Sequence, residues 1–156
     1  MSASSPDIRL WSRVDKSGEC WLWTGTCSPK GYGYIGVNYK KLLVHRFAWE
    51  LLVGPIPDGM EIDHRPTCPK CCVNPDHLRV VTHKQNQENR RGAMRNSKSG
   101  VRGVSWDKAK SLWNAEVQHD GKKWQKYFHT LADAEAAVIA KRLELFTHND
   151  LDRSTS

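Results

Sequence analysis

Residues 61–78 read EIDHRPTCPKCCVNPDHL. Glu61-Ile-Asp-His64 is a short strand that runs into a cysteine cluster. Cys68, Cys72 and His77 are spaced to share one zinc ion. A structural zinc takes four ligands, mostly thiolates and imidazoles. Cys20 is the best upstream candidate for the fourth, and a bond from it would tie an N-terminal strand to the cysteine loop. Cys71 could stand in for Cys68, although adjacent residues such as Cys71 and Cys72 rarely both reach one ion. The chain has five cysteines, an odd number, and three of them fall within five residues. Its first residues, MSASSPD, lack the apolar core of a secretory leader, and no apolar run approaches the ~20 residues of a membrane span. A metal site in a reducing compartment therefore fits better than a disulfide framework.

A zinc ion with four protein ligands has no open position for chemistry. Catalysis, if there is any, has to sit beside it. His64 closes the strand at the edge of the cluster, where a neutral imidazole can take a proton from water. Asp63 and Asn86 offer hard oxygens, which suit Mg²⁺ better than zinc.

Outward from this centre the chain falls into two modules. Residues 1–7 are expected to form a disordered tip, followed by an amphipathic stretch from Ile8 to Val14. Strands are expected at Cys20–Trp23 and Tyr32–Val37, with a turn at Ser28–Gly31 between them. Leu42–Leu52 has near-helical apolar spacing and is closed by Gly54-Pro-Ile-Pro-Asp-Gly59. Pro75 to about Asn89 is expected to begin as a loop and become a helix. Arg90–Gly100 is basic with little apolar content and suggests a linker. Val101–Trp106, Leu112–Gln118 and Lys122–Phe128 follow as three short strands, with His119-Asp-Gly121 as a hairpin turn. Leu131–Phe146 is a helix rich in alanine, with Thr130 as its N-cap. The fold class is α+β, with domains expected at 8–90 and 100–148 and a basic linker at 91–99.

The net charge is +7, and its placement says more than its size. Between Arg79 and Lys126 twelve Lys and Arg stand against four Asp and Glu, so this stretch carries the whole surplus. A basic block of this kind fits a polyanion, most often nucleic acid.

Several short motifs in order resemble the HNH, or ββα-metal, endonucleases of phages and introns. They are Gly18-Glu-Cys-Trp-Leu-Trp-Thr-Gly25, Gly31-Tyr-Gly33, Val44-His-Arg46, Gly54-Pro-Ile-Pro57, Ile62-Asp-His64, Cys72-Val-Asn-Pro-Asp-His-Leu78 and Val81-Thr-His-Lys-Gln-Asn86. The resemblance implies a homing-type endonuclease that hydrolyses phosphodiester bonds with a divalent metal. His64 matches its general base and Asn86 the carboxamide that holds the ion. Asp63 matches a second ligand found in some members. Asn74 matches the middle Asn of the family name, which orients the loop and the catalytic His. Cys20, Cys68, Cys72 and His77 match the zinc ligands of the cysteine-rich branch. One extra residue between His64 and Cys72 leaves the choice between Cys68 and Cys71 open. Arg46 or His45 would clamp the phosphate.

Residues from about Ser97 to Phe146 resemble an AP2-type DNA-binding domain, through Ser99-Gly-Val-Arg-Gly-Val-Ser-Trp106, Trp113-Asn-Ala-Glu116, Trp124-Gln-Lys-Tyr-Phe128 and Ala132-Asp-Ala-Glu-Ala-Ala137. The resemblance implies that Arg102, Gln118, Lys122 and Trp124 touch DNA, although Trp113 reads better as core. The expected whole is a zinc-stapled HNH nuclease domain followed by a βββα AP2-like domain. It would act on double-stranded DNA in the cytoplasm, a host's if phage-encoded, with no membrane partner. Cutting both strands with one active site per chain would favour a homodimer. The alternative is a non-catalytic, zinc-containing DNA-binding regulator, which would need neither His64 nor Asn86.

Overall fold

The structure, a computed structural model, describes residues 5–90 and 92–153. The chain divides into two compact units, Met1–His83 and Lys84–Ser156. The division falls ahead of the linker expected at 91–99.

In the first unit Pro6–Trp11 forms helix α1, with proline in the first turn, where its missing N–H is no loss. A disordered tip was expected over 1–7, but Pro6 and Asp7 are helical, and residues 1–4 lie outside the described residues. Strands β1 (Val14–Asp15) and β2 (Leu22–Trp23) pair antiparallel. The backbone around β2 also binds the cysteine loop. Leu22 bridges Cys72, Trp23 N–H donates to the Cys71 carbonyl at 2.9 Å, and Val73 N–H donates to the Trp21 carbonyl at 2.8 Å. These bonds carry Cys20 to the far cysteines.

Strands β3 (Tyr34–Val37) and β4 (Lys40–Leu43) form a hairpin, and helix α2 (Val44–Leu52) follows at once. The helix expected from Leu42 therefore begins two residues later. Leu42 and Leu43 pair instead with Ile35 and Tyr34, which gives their backbone groups partners and lets Leu42 pack on the same core as Ile35. Strand β5 (Met60–His64) pairs with β6 (Leu78–Thr82), from Met60 opposite Thr82 to His64 opposite Leu78. A loop was expected over the residues of β6. Val80 and Val81 are β-branched and fit a pleated surface, and pairing with β5 buries Val81 fully. A 3₁₀ turn, Pro75–His77, leads into β6, and helix α3 (His83–Glu88) leaves it.

Leu10, Trp23, Ile35, Val44, Ala48 and Val73 form the core of the first unit. Gly33 sits against it. A Cβ there would lie 2.5 Å from Trp23 Cδ1 and 2.6 Å from Val44 Cγ1. Gly33→Ala should cost about 1–3 kcal/mol by overpacking. Thermal denaturation checks this, and an unchanged midpoint would show that the indole yields without strain.

In the second unit β7 (Val104–Asp107), β8 (Leu112–His119) and β9 (Lys122–Phe128) form an antiparallel sheet in that order. Asp120 and Gly121, at φ 48° and 73°, make the β8–β9 turn. Helix α4 (Leu131–Leu145) packs on one face of the sheet. The Thr130 hydroxyl caps it by accepting the Asp133 N–H at 3.1 Å. Ala134, Val138 and Arg142 recur every four residues and are buried, the first two against Val104, Ala115 and Val117. The Arg142 guanidinium ends this stripe. It pairs bidentately with Asp152 of helix α5 (Asp150–Arg153) at 2.6 and 2.8 Å and donates to the Arg102 carbonyl at 2.7 Å. Burial raises the Asp152 carboxyl, but the Arg142 hydrogen bonds and charge outweigh it and hold it below the usual carboxylate range. No helix among the described residues is long and apolar enough to cross a membrane.

Candidate active site and metal centre

Cys20, Cys68, Cys72 and His77 come together, with their ligand atoms all within 4.8 Å of one another. The Cys20 and Cys68 sulfurs are 3.5 Å apart, and His77 Nδ1 lies 3.4, 3.6 and 3.7 Å from the sulfurs of Cys20, Cys68 and Cys72. A tetrahedral zinc with bonds of about 2.0–2.3 Å has edges of roughly 3.5–3.8 Å, so this donor set fits that ion in chemistry and in size. Burial pushes the Cys68 thiol well up, and the neighbouring Cys72 and Cys20 push it further. Burial likewise raises the Cys20 thiol. Thiolates packed this closely ionise together only around a cation.

Spacing left the choice between Cys68 and Cys71 open. Cys68 lies in the cluster and Cys71 does not. The expected result is that Cys71→Ala keeps its bound metal, whereas Cys68→Ala loses most of its affinity. Metal analysis of the two purified variants checks this, and equal metal content in both would contradict it.

His64 ends β5 and is 5% exposed. Its Nε2 lies 3.0 Å from the Cys72 carbonyl oxygen. A carbonyl only accepts, so Nε2 carries the proton and Nδ1 is the basic nitrogen. The metal cluster and the imidazole thus share one residue: Cys72 offers its sulfur to the cluster and its carbonyl to His64. His45, buried on α2, packs against His64 with ring centroids 4.7 Å apart, and the Tyr32 ring lies 5.8 Å from His45 and 6.3 Å from His64. Burial pushes His45 down to about 3, helped by His64 and Arg46, so it stays neutral.

The other expected residues take the following places. Strand alternation buries His64 with Ile62 and puts Asp63 on the opposite face. There Asp63 Oδ2 accepts from the Arg79 guanidinium at 3.2 Å, so an ion held by Asp63 would share it with that cation. Asn74 donates to the Glu19 carbonyl at 2.9 Å and accepts the Asp76 N–H at 3.1 Å. It fixes the loop, and the group that receives His64 is the Cys72 carbonyl. Arg46 on α2 is half-buried, with no ion pair or hydrogen bond among the described residues. Asn86 lies on α3, within the residues of the second unit.

In the second unit Arg102 has a competing use. Its guanidinium donates to the main-chain carbonyls of Glu88, Arg90 and Gln87 at 2.8, 2.9 and 3.0 Å, and reading a base would require breaking those bonds. Trp124 is opposite Val117 and packs against the helix-covered core, as does Trp113. Lys122, opposite His119, is exposed beside the turn. Gln118 is exposed on the open face. That face also carries Asn114, Gln125 and Tyr127, joined through Gln125 Nε2 at 2.9 and 3.1 Å, and the Lys123–Glu116 pair at 2.7 Å. Sequence reasoning missed these residues, although their alternation along β8 and β9 carried the signal.

The paired strands β5 and β6 lead into helix α3, with buried His64 on the first strand and the Cys₃His cluster beside it. Residues 42–88 match the HNH endonuclease family. The chain is 34% identical to Protein 3.8 of Escherichia phage T7 over 109 residues, 69% of this chain and 87% of that protein. It is 40% identical to Protein 7.7 of the same phage over 70 residues, 45% of this chain and 53% of that one. It is 36% identical to Protein 2.8 of that phage over 76 residues, 47% of this chain and 50% of the relative. The chain thus carries an HNH endonuclease domain at residues 42–88 and belongs to the family of Protein 3.8 of Escherichia phage T7. No solved structure matches it.

Proposed function

We propose that the chain is a DNA endonuclease of the homing type, which hydrolyses phosphodiester bonds with a divalent ion and with His64 as general base. The observation that carries this is the bond from His64 Nε2 to the Cys72 carbonyl, which puts the ring proton on Nε2 and makes Nδ1 the basic nitrogen. A regulator that only binds DNA has no use for an imidazole fixed in that tautomer. In the proposed reaction Nδ1 takes the proton of a water that attacks phosphorus in line, and the bond to the 3′ oxygen breaks. A divalent ion such as Mg²⁺, when bound, stabilises the negative charge that develops on the phosphate and the leaving oxygen. Asp63 and Asn86 are the residues assigned to hold it, by the hardness of their oxygens and their match to the family pattern. Arg46 is the phosphate clamp, a role supported by a guanidinium without another partner among the described residues. Asn74 holds the loop that presents the Cys72 carbonyl. Zinc in the Cys20, Cys68, Cys72 and His77 cluster is structural, because all four of its positions come from the protein.

The second unit is proposed as an AP2-like module that binds double-stranded DNA, supported by its three-stranded sheet backed by one helix. Gln118 and Lys122 are exposed and suited to contact. Trp124 and Arg102 would first have to leave the packing and the carbonyls that hold them. A homodimer would supply the second active site for cutting both strands. The phage relatives support action in the host cytoplasm.

Relaxation of supercoiled plasmid tests the proposal. Nicked or linear product that needs Mg²⁺ and disappears with EDTA is expected. Metal-independent product would point to a contaminating activity and remove the role given to Asp63 and Asn86.

A further inference from the structure

The β3–β4 hairpin carries a feature that folding does not explain. Val37 pairs with Lys40, which leaves Asn38 and Tyr39 as a two-residue turn with φ 47° and 63°. Both residues are left-handed, the geometry in which Asn-Gly is favoured. Asn38 suits the first position. Tyr39 occupies the second, where a bulky L-residue crowds its own backbone. Its side chain gains nothing in return, because Tyr39 is 111% exposed and packs on nothing.

The charge around the tip points one way. From Cys27 to Trp49 the sequence holds Lys30, Lys40, Lys41 and Arg46 and no Asp or Glu. Lys40 and Lys41 are exposed, with no ion-pair partner among the described residues. Lys41 Nζ sits 4.1 Å over the Tyr34 ring, which holds it on the face that points away from the core. The hairpin is rooted at the histidine pair. Tyr32, just before β3, lies 6.3 Å from His64, and His45, just after β4, lies 4.7 Å from it. Five or six extended residues separate root from tip, about 15–20 Å. That is roughly half a turn of duplex, within the footprint of any DNA whose phosphate lies at His64.

We propose that the tip formed by Tyr39, Lys40 and Lys41 is a DNA-contacting element of the first unit, separate from the C-terminal module. The lysines meet phosphates, and the Tyr39 ring lies against sugar and base edges in a groove. This rests on the reading of the first unit as acting on DNA.

The test uses the full chain with His64→Ala as parent, so that DNA stays intact. Binding to a mixed-sequence duplex is measured by fluorescence anisotropy across a salt series, beside thermal melting. Adding Tyr39→Gly should weaken binding roughly tenfold. The melting midpoint should hold or rise, because glycine accepts the left-handed turn. Adding Lys40→Ala with Lys41→Ala should reduce the slope of log K against log salt by about 1.8, two phosphate contacts' worth. Affinity and slope equal to the parent's in both variants would overturn the proposal. So would a loss seen with duplex RNA but not with DNA. A parent that binds no duplex at any salt is a different result, and it removes the nuclease reading itself.

Discussion

His64→Ala should lower the single-turnover rate of DNA cleavage by about 10²–10⁴-fold, the range a positioned general base contributes. DNA affinity should change by less than about twofold. The imidazole is buried at the end of β5 and bound to a main-chain carbonyl, so its loss removes a proton acceptor and leaves the basic surface as it was. Alanine also leaves the Cys72 carbonyl without that partner, a local cost of about 1–3 kcal/mol that thermal melting should register. Cleavage at the wild-type rate by a folded His64→Ala protein would rule out His64 as the base.

The second large effect concerns the Cys₃His cluster. Stripping the metal with a strong chelator, or replacing Cys72 by Ser, should unfold the first unit. Structural zinc contributes about 10–16 kcal/mol in small domains, as much as or more than the ~5–15 kcal/mol by which a whole domain is stable. The cluster joins Cys20, beside β2, to a loop more than forty residues later in the chain. The second unit has its own core of Val104, Ala115, Val117, Ala134, Val138 and Phe146. Melting followed by far-UV circular dichroism should therefore lose one transition and keep another. An unchanged melting curve from protein shown by metal analysis to be zinc-free would contradict the structural role.

Much of this was legible in the sequence because the chemistry is compressed into short spacings. Cys68, Cys72 and His77 lie within ten residues, and Cys20 was the best upstream candidate for the fourth ligand. Spacing could not choose between Cys68 and Cys71. That choice depends on the backbone bonds of Cys71 and Cys72 to Trp23 and Leu22, which are long-range. Strands β4 and β6 escaped notice for a related reason. A run of four or five residues gives too little alternation to compete with the helical spacing of Leu42–Leu52 or with the proline-led loop at Pro75. Their partners, β3 and β5, decide the matter. The turn at Asp120-Gly121 was visible because its residues suit its geometry, while the turn at Asn38-Tyr39 was hidden by a tyrosine in a glycine's place. The charge of Arg102 was plain, but not that its guanidinium is held by three carbonyls.

The most direct measurement incubates the wild-type chain with a library of random duplexes and Mg²⁺, then sequences the newly formed ends, with His64→Ala in parallel. Metal-dependent ends that carry a 5′-phosphate and a 3′-hydroxyl, and that fall away in the variant, are expected. A library that the protein binds but leaves uncut, at every metal tested, would contradict the nuclease reading and leave a zinc-containing DNA-binding regulator in its place.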